Sequence, residues 1–99
     1  MTGAGDFEIA FSAPAQRALR RLPEKAGTAI VEFVFGSLAH NPHRVGMPLR
    51  LELAGLHSAR RGGYRVIYRI DDIYRIDDAG HRVEITAIEH RADAYRPRG

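Results

Sequence analysis

Residues 58–80 read SARRGGYRVIYRIDDIYRIDDAG, and they contain both a hairpin signal and a duplicated hexapeptide. Gly62-Gly63 stands between two strand-like runs, and glycines supply the positive φ angles that a two-residue hairpin turn needs. The turn predicts three cross-strand pairs: Arg61 with Tyr64, Arg60 with Arg65, and Ser58 with Ile67. Two adjacent antiparallel strands are therefore expected in this part of the chain.

The strand after the turn alternates between two sets of side chains. One face receives Tyr64, Val66, Tyr68 and Ile70, and the other receives Arg65, Ile67 and Arg69. Because successive side chains of a strand point to opposite faces, the aromatic and aliphatic set is expected in the core. The arginines are then left on the opposite face of the sheet.

The hexapeptide Ile-Tyr-Arg-Ile-Asp-Asp occurs at 67–72 and again at 73–78. Six is an even number, so both copies present the same alternation and local sequence cannot choose between them. A ribbon lengthened by the second copy would push Val83 and Ile85 beyond the helices. We therefore predict that the first copy completes the strand and that residues 72–80 form an exposed, mobile inserted loop, since extra loop residues cost only about 0.6 kcal/mol per doubling of length.

The remaining elements follow from the same kind of pattern. FEIAFS predicts a strand over residues 6–12, with Ser12 as the cap of a helix that ends at Pro23. A second helix is expected from Glu24 to about Asn41, followed by a loop with a short strand start near Leu51–Leu53. HRVEITAIEH predicts a last strand whose inward set is Val83, Ile85 and Ala87. The order β-α-α-β-β-β predicts an α+β fold, with a mostly antiparallel curved sheet and a two-helix hairpin on one face.

Length and composition bound the class of protein. Ninety-nine residues with 44% apolar content indicate a single domain spanning 1–99, with residues 1–5 as a flexible start. There is no cysteine, which excludes disulfides and thiolate metal sites. No stretch approaches the roughly 20 apolar residues of a membrane span. We expect a cytoplasmic protein with no membrane association, no bound metal and no small-molecule cofactor.

Positive charge is concentrated in the middle of the chain. Residues 42–70 hold six arginines against one glutamate, a net of +5 within a chain whose total is +3. The arginines are Arg44, Arg50, Arg60, Arg61, Arg65 and Arg69. Such a block is typical of a surface that binds the phosphates of a nucleic acid. A solvated basic face, or a surface covered by an acidic protein partner, is the alternative.

Arg60 and Arg65 are predicted to face each other across the hairpin. Like charges placed directly opposite on one sheet face are destabilising, so the pair needs a compensating interaction. In one interpretation both guanidinium groups extend into water at little cost. In the other they form an anion site that grips a phosphate and stabilises charge developing on it, and Arg69 extends this site along the strand.

Three segments together resemble a known family: LPEKAGTAIVEFVFGSLAHNP, SARRGGYRVIYRIDD and HRVEITAIEHRADAY. The chain is similar, from about Phe7 to Arg96, to the RelE branch of the RelE/ParE superfamily of bacterial toxins. The resemblance implies a toxin of a toxin–antitoxin pair that enters the ribosomal A site and cuts mRNA. In that family the ribose 2′-hydroxyl attacks the neighbouring phosphate without a metal, and translation is inhibited.

The resemblance also implies site residues. Arg65 and Arg60 match basic residues of the third and second strands that hold the phosphate, whereas Ser58 stands where a lysine-type contact is expected. Arg91 and Tyr95 match the C-terminal arginine and tyrosine that assist proton transfer. The complete set of predicted site residues is Arg60, Arg65, His90, Arg91 and Tyr95 for catalysis, with Arg50, Ser58, Arg61 and Arg69 for RNA binding.

Two of these assignments have alternatives. Tyr95 is an amphipathic residue that packs the C-terminal tail in the alternative interpretation. Glu89 replaces a basic residue of some family members, and His90, which titrates near neutral pH, could compensate by moving a proton. The departures from the family pattern at Ser58 and Glu89 thus bear on catalytic strength and leave the fold prediction unchanged.

The predicted partners are a cognate antitoxin, the ribosome and mRNA. A basic concave face suits an acidic or amphipathic antitoxin segment. Two other functions remain open at this point. One is a ParE-like toxin that binds DNA gyrase without nuclease activity, and the other is a catalytically inactive remnant of the nuclease.

Overall fold

The computed structural model describes residues 6–74 and 79–90, without the side chains of residues 72–74, 79 and 80. Its helices are α1 (Ala13–Arg21), α2 (Glu24–Phe33) and α3 (Pro42–Val45). Its strands are β1 (Glu8–Phe11), β2 (Met47–Pro48), β3 (Leu56–Arg61), β4 (Tyr64–Tyr74) and β5 (Ala79–His90). The sheet order is β1-β5-β4-β3-β2, and β1 runs parallel to β5 while the other pairs are antiparallel. The predicted α+β class is confirmed.

The two long helices form the predicted hairpin. The Ser12 hydroxyl accepts a hydrogen bond from the Ala15 amide (3.2 Å), which caps α1, and it donates one to the Thr86 carbonyl (3.0 Å) of β5. Leu22 and Pro23 are extended, so α2 begins at Glu24. A π-helical turn over Val34–Leu38 continues α2. None of the helices in the described ranges is long and apolar enough to cross a membrane.

The core lies between this helical hairpin and one face of the sheet. Its fully or nearly fully buried members come from both layers: Ala15, Ile30, Val34, Leu38, Ala59, Val66, Tyr68, Val83, Ile85 and Ile88. Their alternation along β4 agrees with the predicted inward set. We call the opposite side of the sheet the open face, and define it by Ser58, Arg60, Arg65, Ile67, Arg69, Glu84 and Glu89.

The β3–β4 hairpin has the predicted turn and register. Gly62 adopts a φ of 61°, which a side chain would disfavour. Arg61 pairs with Tyr64, Arg60 with Arg65 and Ser58 with Ile67. The short turn therefore fixes which side chains of β3 and β4 meet.

The segment before β3 differs from the prediction. Leu51–Leu53 forms a single 3₁₀ turn and not the start of a strand, and Leu51 has a φ of 59°. The edge strand is instead Met47–Pro48, which pairs with Ser58 and His57. Alternation over three residues was too short to distinguish a strand from a turn. The predicted loop also contains α3, which Pro42 initiates.

A β-bulge changes which side chains in the second half of β5 point to the core. Ile67 pairs with Ala87 and Tyr68 pairs with Ile85, which leaves Thr86 as an extra residue. The Thr86 hydroxyl donates to the Ile67 carbonyl (3.2 Å). One extra residue reverses the alternation, so Ile88 is buried and the prediction that Ala87 belongs to the inward set is wrong.

The hexapeptide prediction is wrong in one respect and right in another. Residues 72–74 and 79–80 belong to the β4–β5 ladder, with Ile73 opposite Gly80 and Tyr74 opposite Ala79, so these five residues are not part of an inserted loop. Pairing in a longer hairpin satisfies backbone donors and acceptors that a loop would leave to water. The first copy nevertheless supplies the core portion of β4, because Ile70 pairs with Val83. Residues 1–5, 75–78 and 91–99 lie outside the described residues.

Candidate functional site

The open face carries a row of three charged residues on three neighbouring strands. Arg60 lies opposite Arg65 on β4, and Arg65 lies opposite Glu89 on β5. Arg65 Nη2 donates to Glu89 Oε1 at 3.2 Å. The predicted repulsion between Arg60 and Arg65 is therefore offset by a carboxylate from the next strand.

Arg65 is the more enclosed of the two arginines. Its side chain is 31% exposed, and its buried Nε atom has no hydrogen-bond acceptor in the described part of the chain. An arginine has five N–H donors, and a buried donor without an acceptor costs free energy. Arg60 is exposed, and within residues 6–71 and 81–90 no ion pair engages it. Two guanidinium groups on adjacent strands thus lie on the open face, and Arg60 is the more accessible of them.

Further ion pairs lie along the same face. Arg69 Nη1 is 3.9 Å from Glu84 Oε1, and Arg82 Nε is 3.7 Å from Glu8 Oε1. The positive block seen in residues 42–70 is thus partly neutralised in space by Glu84 and Glu89 of β5. A count of charges within the block could not reveal this, because the neutralising residues come from another strand.

The predicted RNA-binding residues do not all share this face. Ser58 of β3 is half-buried and lies opposite Ile67 of β4. On the open face, this pair is the next one along the two strands from Arg60 and Arg65. Arg61 points to the helix side, where it lines a cavity of about 230 Å³ with Ala26 and Ala29. The alternation of β3 therefore separates Arg61 from its neighbour Arg60.

Arg50 lies in the connection between β2 and β3, where it is exposed. The Leu49 amide donates to the Leu56 carbonyl (2.8 Å), and Leu56 pairs with Arg69. This bond ties the connection to the Arg69 end of the open face, away from the Arg60–Arg65 end.

His90 occupies a position that does not favour its predicted role. It pairs with Tyr64, and the two rings lie edge to face with centroids 5.0 Å apart. Tyr64 belongs to the core side of β4, so His90 lies across the sheet from the Arg65–Glu89 pair. The bulge at Thr86 places His90 on the core side of the sheet. No local sequence pattern indicated this bulge. Arg91 and Tyr95 lie outside the described residues.

A histidine cluster on the core side was missed in the sequence. His57 stacks on Tyr68 with ring centroids 5.4 Å apart, and His43 meets His57 edge to face at 6.3 Å. Burial, with a smaller contribution from His43, lowers the pKa of His57. Burial also raises the pKa of Tyr68 to about 12, and its hydroxyl donates to the Pro42 carbonyl at 2.7 Å. These contacts join α3 to the sheet beneath the open face.

Comparison with known proteins gives consistent matches. The sequence profile of the family described as "ParE toxin of type II toxin-antitoxin system, parDE" matches residues 9–95. Toxin RelE of Mycobacterium tuberculosis is 57% identical over 90 residues, which is 91% of this chain and 87% of that protein. Toxin RelG of the same organism is 49% identical over 90 residues, covering 91% and 97%.

A solved structure agrees with both sequence relatives. The structure of the toxin–antitoxin complex RelBE2 from Mycobacterium tuberculosis contains a chain that is 45% identical, with a TM-score of 0.78. The match covers 94% of this chain and 100% of that one. The resemblance found in the sequence is confirmed. The chain therefore belongs to the ParE toxin family of type II toxin–antitoxin systems, as a toxin similar to RelE.

Proposed function

We propose that the protein is a ribosome-dependent mRNA endoribonuclease that cuts in the A site and so inhibits translation. The observation that carries this proposal is the Arg60–Arg65 pair on the open face, next to Ser58. Two guanidinium groups on adjacent strands can bind one phosphate from two sides. The likeness to toxin RelE and toxin RelG supports a toxin of this family, for which the resemblance in the sequence implies the same activity.

The RNA itself supplies the nucleophile of the reaction. The ribose 2′-hydroxyl attacks the adjacent phosphorus, the bond to the 5′-oxygen breaks, and the products are a 2′,3′-cyclic phosphate and a free 5′-hydroxyl. One proton leaves the nucleophile and one reaches the leaving oxygen. In this mechanism Arg65 and Arg60 orient the phosphate and stabilise the charge of the phosphorane. Arg91 and Tyr95 are the proposed proton-transfer groups.

The proposed partners are a cognate antitoxin, the ribosome and mRNA in the cytoplasm. An antitoxin partner is supported by the RelBE2 match, which is a toxin–antitoxin complex. The open face, with Arg60 exposed and unengaged by the described acids, is the surface where an acidic antitoxin segment would block phosphate binding.

A gyrase-binding toxin is the second candidate, because the matching family description names parDE. Such a toxin needs no paired arginines on the open face. An inactive remnant would share the fold and cut nothing. The three possibilities differ in what happens to cellular mRNA.

The experiment is controlled expression followed by primer-extension mapping of mRNA ends. We expect codon-phased cuts with wild-type protein and with Arg17→Ala, an exposed arginine of α1, and none with Arg65→Ala. Intact mRNA together with stalled gyrase complexes would favour the second candidate. Intact mRNA without stalled gyrase complexes would indicate a catalytically inactive remnant.

A further inference from the structure

Glu89 occupies one of the Arg65 donors that an anion could use. Its Oε1 accepts from Arg65 Nη2 at 3.2 Å, and the two residues are directly paired on β4 and β5. Both side chains are partly open to solvent, at 31% for Arg65 and 40% for Glu89. The contact therefore lies at the surface, where a bound phosphate would have to compete with it.

The charges of the row explain why this competition matters. Arg60, Arg65 and Glu89 form a line across three strands with two positive charges and one negative charge. Arg69 has a similar partner in Glu84, but at a longer distance of 3.9 Å. Among the side chains that the structure describes, the shortest carboxylate contact of an open-face arginine is thus at Arg65, the residue placed at the centre of the proposed phosphate site.

We propose that Glu89 is an internal counterion that competes with phosphate for Arg65 and thereby limits the affinity of the open face for RNA. This inference rests on the proposed function, because it assumes that the open face receives an RNA phosphate. Glu89 is not a catalytic residue in this account. It acts through Arg65.

The exchange has a favourable balance of hydrogen bonds. At rest the guanidinium group has one carboxylate contact, and its buried Nε has no acceptor in the described part of the chain. A phosphate has several acceptor oxygens, so it can accept from Nη2 in place of the carboxylate, and from Nε once the Arg65 side chain turns far enough to expose that atom. Glu89 then moves into water, which is accessible to it already.

A positioning role makes the opposite prediction. If Glu89 held Arg65 in the geometry that binds phosphate, removing its charge would weaken binding. The counterion role predicts stronger binding on the same substitution. The sign of one affinity change therefore separates the two roles.

The test measures binding of a fluorescein-labelled, 2′-O-methyl RNA decamer, which cannot be cleaved, by anisotropy over a range of salt concentrations. Glu89→Gln keeps the shape of the side chain and removes its charge. We expect two- to fivefold tighter binding at low salt, the scale of a partly exposed ion pair. The slope of log affinity against log salt should steepen by about 0.7, as for one additional phosphate contact with a single strand.

Two further variants make the test specific to Arg65. Glu84→Gln changes the net charge of the same face equally, and we expect a smaller gain because its carboxylate lies farther from Arg69. In an Arg65→Ala background, the gain from Glu89→Gln should disappear. Thermal unfolding of each variant checks that it is folded.

If the proteins bind RNA, any of three results would overturn the proposal: unchanged or weaker binding by folded Glu89→Gln, an equal gain from Glu84→Gln, or a gain that persists without Arg65. Absence of RNA binding by both wild type and Glu89→Gln would also overturn it. If Glu89→Gln binds RNA more tightly but neither protein cuts mRNA, the counterion role of Glu89 is supported and the nuclease proposal fails. If mRNA is cut and the affinity for RNA does not change, only the proposed counterion role of Glu89 fails.

Discussion

Ile70 of β4 pairs directly with Val83 of β5, so the first copy of the hexapeptide supplies the core register of the β4–β5 hairpin. The same ladder continues to Tyr74 and Ala79. The buried part of β5 begins at Val83, and Asp71, the residue after Ile70, is exposed. The additional pairs therefore extend beyond the region that the helices cover.

Deletion of residues 73–78 is expected to change the free energy of unfolding by about 0.5 kcal/mol or less, because the paired core is kept. The two copies are identical, so deleting either one gives the same polypeptide. Asp72 would still pair with His81, and Ala79-Gly80 would form a two-residue turn with glycine at its second position. Urea unfolding and mRNA cleavage of the shortened chain measure this. A loss above about 2 kcal/mol would show that the extended hairpin contributes to the core.

Tyr68→Phe removes the hydroxyl that donates to the Pro42 carbonyl at 2.7 Å in a fully buried position. The carbonyl loses its partner, so we expect a destabilisation of about 1–2 kcal/mol in urea unfolding. Tyr64→Phe, on the same strand and the same face but half-buried, is the matched control and should cost less. Equal losses in the two variants would mean that the Pro42 contact contributes nothing specific.

Acidification is expected to destabilise the protein through His57. Its pKa is lowered by burial and by His43, so the folded state favours the neutral ring. The stability that depends on neutral His57 is present above the ordinary value of 6.5 and is lost as pH falls below it, because the unfolded state then binds more protons. His57→Phe keeps a ring against Tyr68 and should reduce the fall in unfolding free energy between pH 7.5 and 5.5. An unchanged fall in this variant would assign the pH dependence to other groups.

Tyr95→Phe is expected to slow mRNA cleavage more than it weakens ribosome binding, because only the hydroxyl proposed to transfer a proton is lost. Single-turnover cleavage and ribosome co-sedimentation measure the two effects separately. A variant that loses binding and cleavage to the same extent would instead indicate that Tyr95 packs the C-terminal tail.

The sequence was informative wherever a local rule determines geometry. Gly62-Gly63 determined the register of β3 and β4, and this register brought Arg60 opposite Arg65. Ser12 and Pro23 marked the ends of α1 in the same way. Each of these features depends on residues close together in the chain.

The features that sequence reasoning missed depend on contacts between distant residues. The bulge at Thr86 is stabilised by its bond to the Ile67 carbonyl, and it decides that Glu89, and not His90, lies on the open face. Glu84 and Glu89 approach Arg69 and Arg65 only because β5 pairs with β4 in the fold. The extra β4–β5 pairs likewise reflect backbone hydrogen bonding, which competes with loop formation irrespective of side chains.

The most direct test of the account is cleavage of a defined mRNA on purified, programmed ribosomes. We expect wild-type protein and Arg17→Ala to cut within the A-site codon. Arg65→Ala should cut at least about 100-fold more slowly, because it loses the group that stabilises the phosphorane. Its melting temperature should stay close to that of the wild type, since the substitution also removes the repulsion with Arg60. A folded Arg65→Ala protein that cuts at the wild-type rate, or a wild-type protein that leaves the A-site codon intact, would contradict the account.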